Sequence, residues 1–99
     1  MFLALAAAAA ALALPAAASA ELARARLCTS CHHAQGKLVG PGFRDIAARY
    51  AGQPEAAPRL AAKIRAGGAG SWGVVPMPAN PKVTPEEARQ LADWVLATK

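Results

Sequence analysis

Two cysteines and a histidine stand together in Cys28-Thr29-Ser30-Cys31-His32, and the 99 residues hold no third cysteine. The spacing is the attachment signature for c-type haem. Two thiols three positions apart reach the two vinyl groups of one porphyrin and become thioethers. The next residue places an imidazole under the iron as a proximal ligand. A bare C-x-x-C also suits a redox dithiol, but that reading expects a βαβ context, and no strand alternation occurs here. A structural zinc site needs about four ligands. The candidates, Cys28, Cys31, His32 and His33, are crowded into six residues.

The chain opens with an export pattern. Residues 2–14 are almost pure Ala and Leu, Pro15 breaks the run, and Ala18-Ser19-Ala20 forms an A-x-A site before Glu21. Such a run and such a site describe a secretory signal peptide, so cleavage after Ala20 and a periplasmic location are expected. No Lys or Arg precedes the apolar run. The competing reading is a retained anchor, although the run is short of the roughly 20 residues that span a bilayer. Export suits the cysteines, because free thiols outside the cytoplasm tend to form disulfides unless otherwise used.

Residues 21–99 are then one small domain. A chain this short has little core of its own and needs a staple; a covalently held haem is a large apolar object to pack around. All of the net charge of +5 lies after residue 20. A moderately basic surface suits acidic protein partners or, transiently, an anionic membrane face. No basic run with interleaved aromatics points to nucleic acid.

The patterning is that of four to five short helices joined by Gly/Pro loops, an all-α fold. A first helix over 21–27 delivers the cysteines. Phe43, Ile46, Ala47 and Tyr50 share one helical face, and Gly52-Gln53-Pro54 ends that helix. A third helix covers 55–66, with Leu60 and Ile64 on one face, and the Gly67-Gly68-Ala69-Gly70 run stops it. The last helix starts with Thr84 as N-cap, Pro85 at the first helical position and Glu87 closing a capping box. Its apolar face is Leu91, Trp94 and Val95.

Between the third and last helices lies an irregular segment, 71–83. A loop of this length in a small domain is usually functional. It carries Met77 between Pro76 and Pro78, two residues that restrict the backbone and help fix where the thioether points. Met1 is the only other methionine. Methionine is often core filler, but six-coordinate iron needs a second axial ligand, and Met77 is the candidate. His33 is the rival; its neighbour His32 prevents it from reaching the opposite haem face.

These pieces together resemble the class I cytochromes c of the short bacterial, periplasmic, monohaem kind, over essentially all of 21–99. The resemblance rests on Cys28-Thr29-Ser30-Cys31-His32, Val39-Gly40-Pro41, the stretch Trp72-Gly73-Val74-Val75-Pro76-Met77-Pro78-Ala79-Asn80, and Leu91-Ala92-Asp93-Trp94-Val95. It implies that the Pro41 carbonyl accepts the His32 Nδ1 proton, a bond that would orient the ring. It implies Trp72 and Lys63 near a haem propionate and Asn80 hydrogen-bonded near the Met77 sulfur. The turn Pro81-Lys82-Val83 is about one residue longer than the pattern expects. The function implied is electron carriage by a monomer and not an enzyme, between a cytochrome bc-type donor and an oxidase, nitrite reductase or peroxidase as acceptor. A complex-bound or tethered haem subunit is the alternative, and a sensor or peroxidase with a labile Met77 is a further one.

Overall fold

The computed structural model describes residues 16–99. Four α-helices follow in order: α1 Ala16–Ala25, α2 Phe43–Tyr50, α3 Ala56–Ala66 and α4 Pro85–Leu96, with a single 3₁₀ turn at Cys28–Ser30 after α1. The described residues form no sheet; two isolated bridges, His32 with Lys37 and Gly68 with Met77, are their only β pairings. The all-α fold expected from the pattern is the fold observed.

Helix α4 organises the rest, packing against α1, α2 and α3. Its start follows the sequence signal closely. The Thr84 hydroxyl accepts from the Glu87 backbone N–H at 3.1 Å, and the Glu87 carboxylate accepts from the Thr84 N–H at 3.1 Å. Both bonds of a capping box are thus made, with Pro85 at the first turn, where no N–H is needed. The core cluster is small: Ala23 from α1, Val83 from the approach to α4, and Ala88 and Leu91 from α4. Leu22, Cys28, Ala61, Ile64 and Trp94 pack against it. Small side chains let helices approach closely but fill little volume, and the remaining apolar surface turns toward a cavity.

Helix α1 starts earlier than the expected 21. It runs unbroken through Ala18-Ser19-Ala20, because alanine is the best helix former and nothing in this stretch interrupts it. Ser19 is buried, and its hydroxyl accepts from Gln90 Nε2 at 3.2 Å. The apolar run before it lies outside the described residues. Glu55, expected within α3, stands instead at its N-cap, and its side chain caps nothing.

Candidate functional site

One cavity of about 370 Å³ opens among α2, α3, α4 and the loops before and after them. Its walls are mostly apolar, from Phe43, Ile46, Leu60, Ile64, Leu91, Trp94 and Val95. No acidic residue lines it. Cys28, Cys31, His32, Pro41 and Met77 all reach it, drawn from segments almost fifty residues apart.

The cysteines arrive on the 3₁₀ turn. Leu27 caps that turn with φ 65° and ψ 19°, the left-handed region. It is the only non-glycine residue with positive φ among those described. This bend takes the chain out of α1 and turns Cys28 and Cys31 toward the cavity. Both are half-buried and free of a disulfide. Burial pushes the Cys28 thiol above its ordinary value, against a smaller lowering from its own backbone, and Cys31 adds to the rise.

His32 is held from three sides. Its Nδ1 lies 2.7 Å from the Pro41 carbonyl oxygen. A carbonyl can only accept, so Nδ1 carries the proton and Nε2 is the nitrogen left with a free lone pair. Phe43 stacks on the imidazole with ring centroids 5.4 Å apart and planes 23° apart. Trp94 meets Phe43 edge-on at 5.1 Å, the favoured geometry for aromatic pairs. Gly40 closes the third side, so near the ring that a side chain has no room. His33 does not line the cavity; it is exposed, and its carbonyl accepts from the Phe43 N–H at 2.8 Å.

Met77 is carried by an extended stretch that lies along the end of α3. Its backbone N–H donates to the Gly68 carbonyl at 2.8 Å, and its carbonyl accepts from the Gly68 N–H at 2.9 Å. Pairing with Gly68, as much as the flanking prolines, therefore sets where Met77 sits.

Lys63 and Trp72 both line the cavity, beside Tyr50 and Arg59. These four add basic and hydrogen-bond-donating side chains, suited to carboxylates, to a mostly apolar lining. The Arg49 guanidinium lies 4.4 Å from the Trp72 ring centroid, within cation–π range, and donates to the Ser71 carbonyl. Nothing in the sequence pattern singles out Arg49 or Arg59, and the Gly67-Gly68-Ala69-Gly70 run reads there only as a helix stop. The signal for the glycines was present: three in Gly67-Gly68-Ala69-Gly70, where stopping a helix needs one.

Asn80 departs from expectation. It does not line the cavity, and its side-chain amide donates to Ile64 O at 3.0 Å and Pro78 O at 3.3 Å. Its backbone N–H donates to Arg65 O at 3.1 Å. Asn80 thus satisfies carbonyls left open at the end of α3. The donors expected near the Met77 sulfur are taken up by backbone oxygens.

The family model for cytochrome c matches residues 16–99. The chain belongs to the cytochrome c family. Among curated proteins it is similar to cytochrome c-551 of Azotobacter vinelandii, 54% identical over 79 residues that make up 80% of this chain and 95% of that one. It is 47% identical over 79 residues to cytochrome c-552 of Nitrosomonas europaea, covering 80% of this chain and 77% of that protein. The crystal structure of wild-type Nitrosomonas europaea cytochrome c552 superposes with a TM-score of 0.79 at 48% identity, over 81% of this chain and 99% of the other. This cytochrome is thus a class I monohaem protein of the small bacterial kind, working in electron transport with a covalently attached haem c. The cavity fits that group. Two half-buried thiols, a histidine with one nitrogen free, a thioether, apolar walls and basic side chains for carboxylates meet in one space.

Proposed function

We propose that this cytochrome is an exported one-electron carrier of the periplasm, with His32 and Met77 as the two axial iron ligands. One observation carries the reading: His32, its Nδ1 committed to Pro41, and Met77, the only thioether among the described residues, reach the same cavity. Cys28 and Cys31 hold the haem as thioethers, Trp72 and Lys63 face its propionates, and Pro41 orients the proximal ring. With both axial positions taken by protein, iron offers no place for substrate, which suits transfer rather than catalysis. A methionine ligand raises the reduction potential. The apolar walls act in the same direction, disfavouring the extra charge of the ferric state. Redox partners of this kind meet through small, weak surfaces; a bc-type donor and an oxidase, nitrite reductase or peroxidase acceptor fit that role.

Met77 is the test. The oxidised protein should show the weak near-infrared sulfur-to-iron charge-transfer band and bind carbon monoxide slowly or not at all when reduced. Met77→Ala should remove the band, lower the potential and admit carbon monoxide. Met77→His should keep six-coordination yet still lower the potential, since sulfur favours the ferrous state more than nitrogen does. A band that survives Met77→Ala assigns the ligand elsewhere.

Cleavage after Ala20 would remove the first half of α1 and with it buried Ser19. That geometry favours the second reading, a carrier that keeps the preceding segment. No helix among the described residues is long and apolar enough to cross a membrane. N-terminal sequencing of the exported protein decides between Glu21 and an earlier start.

A further inference from the structure

We propose that Gly67 is a positioning residue for Met77: its missing side chain leaves the space in which the methionine backbone is seated, and so sets the reach of the sulfur into the cavity. The inference rests on Met77 as an iron ligand. Gly67 ends α3 with φ 70° and ψ −161°, a region essentially reserved for glycine. A Cβ placed there would stand 2.5 Å from the Met77 carbonyl oxygen, 2.8 Å from the Pro78 carbonyl carbon and 2.7 Å from the Ala79 nitrogen. All three are backbone atoms, so no side chain can swing aside. The segment itself must move, by close to an ångström, to restore ordinary contact. Met77 cannot absorb that movement locally. Both of its backbone hydrogen bonds go to Gly68, next to the displaced contact, and Pro76 and Pro78 restrict the torsions on either side. A push at residue 67 is therefore passed to the sulfur. The neighbouring glycines differ. A Cβ at Gly68 meets only the flexible end of Lys63, and one at Gly70 meets nothing within 4 Å.

Gly52 supplies a control at positive φ. Its φ of 77° is close to that of Gly67, and a Cβ there meets nothing within 4 Å. Gly67→Ala and Gly52→Ala both place a methyl group on a backbone of positive φ, and only the first touches the methionine segment. The experiment compares both holoproteins with the parent by near-infrared absorption, midpoint potential and carbon monoxide binding. Gly67→Ala is expected to lose most of the charge-transfer band, fall in potential and bind carbon monoxide faster. Gly52→Ala is expected to lower thermal stability and leave all three readings in place. An intact band and potential in Gly67→Ala overturn the proposal, as does equal loss in both variants. A parent protein without the band instead overturns Met77 as ligand. If Gly67→Ala does not fold, Gly67→Ala/Pro78→Ala frees the segment to step off the methyl group and is read against Pro78→Ala alone. The pair should fold with a weaker band than Pro78→Ala, and equal bands in the two overturn the proposal.

Discussion

Gly40 lies directly against the His32 ring. A Cβ built on Gly40 would come within 2.6 Å of His32 Cε1 and 3.0 Å of Nδ1. The imidazole cannot retreat, because Phe43 stacks on it and Pro41 holds Nδ1. Gly40→Ala is therefore expected to tilt the ring and stretch its bond to Pro41, lowering the basicity that this bond lends the imidazole. The measurement is the midpoint potential together with the hyperfine-shifted imidazole proton resonances. Unmoved resonances would mean that the Gly40 loop shifts instead and that the ring is held by Phe43 and Pro41 alone.

Leu27 is a second backbone constraint, of the opposite sign. It holds φ 65° with a side chain 69% exposed. A left-handed residue with a Cβ costs roughly 1–2 kcal/mol, and an exposed leucine recovers little of it by burial. Leu27→Gly should remove the strain at the small cost of a more flexible unfolded chain. A net gain on the order of 1 kcal/mol in denaturant unfolding is expected, with the potential unchanged. Destabilisation would show that the leucine side chain makes contacts worth more than the strain.

These two residues mark what the sequence could and could not disclose. The cysteine motif, the Thr84 capping box and the proline-flanked Met77 are local codes, in which residues a few positions apart carry the meaning. The capping box was legible, as were the meeting of the cysteine motif and Met77 in one cavity and the helical face of Phe43 and Ala47. The roles of Gly40 and Gly67 were not, because each depends on how near another segment passes: ring atoms in one case, an extended stretch ten residues away in the other. The start of α1 was misplaced for a different reason. Alanine serves both a signal peptide and a helix, so composition alone cannot place the boundary. Asn80 was assigned by resemblance to a sulfur, whereas open carbonyls at the end of α3 compete for the same donors.

The contact between the turn after α1 and α4 should carry a pH signature. Arg26 Nη2 lies 3.0 Å from Glu87 Oε2, while the other carboxylate oxygen accepts from Thr84 N–H. The Arg26 hydrogen bond, aided by that of Thr84, holds the Glu87 carboxyl below its ordinary value of 4.5. A folded-state value lower than the unfolded one adds stability that is fully present above pH 4.5 and is lost as pH falls through the folded value. Glu87→Gln keeps a side chain able to close the capping box but removes the charge. The parent should be more stable than the variant at neutral pH, and the two should converge in acid. Parallel stability curves from pH 7 to 3 would assign no role to the ion pair.

Partner encounter should read the charges outside the cavity. Lys37 and Lys82 are exposed, in the segments that lead into α2 and α4. Leu38 and Val39, next to Lys37 in the chain, and Val74 and Val75 are exposed apolar side chains, of which Val74 is 91% accessible; Val39 and Val75 also line the cavity. An acidic partner that docks at the cavity mouth would be steered by the lysines and then contact Val39 and Val75. Salt limits that steering to about a Debye length, ~10 Å at 0.1 M. Raising ionic strength should therefore slow association with the physiological partner. Lys37→Glu or Lys82→Glu should slow it further, chiefly in the on-rate, with little change in potential. Stopped-flow electron transfer across a salt series separates the two contributions. A rate indifferent to both salt and charge reversal would place recognition on the valine patch, and Val74→Asp should then be the variant that slows transfer.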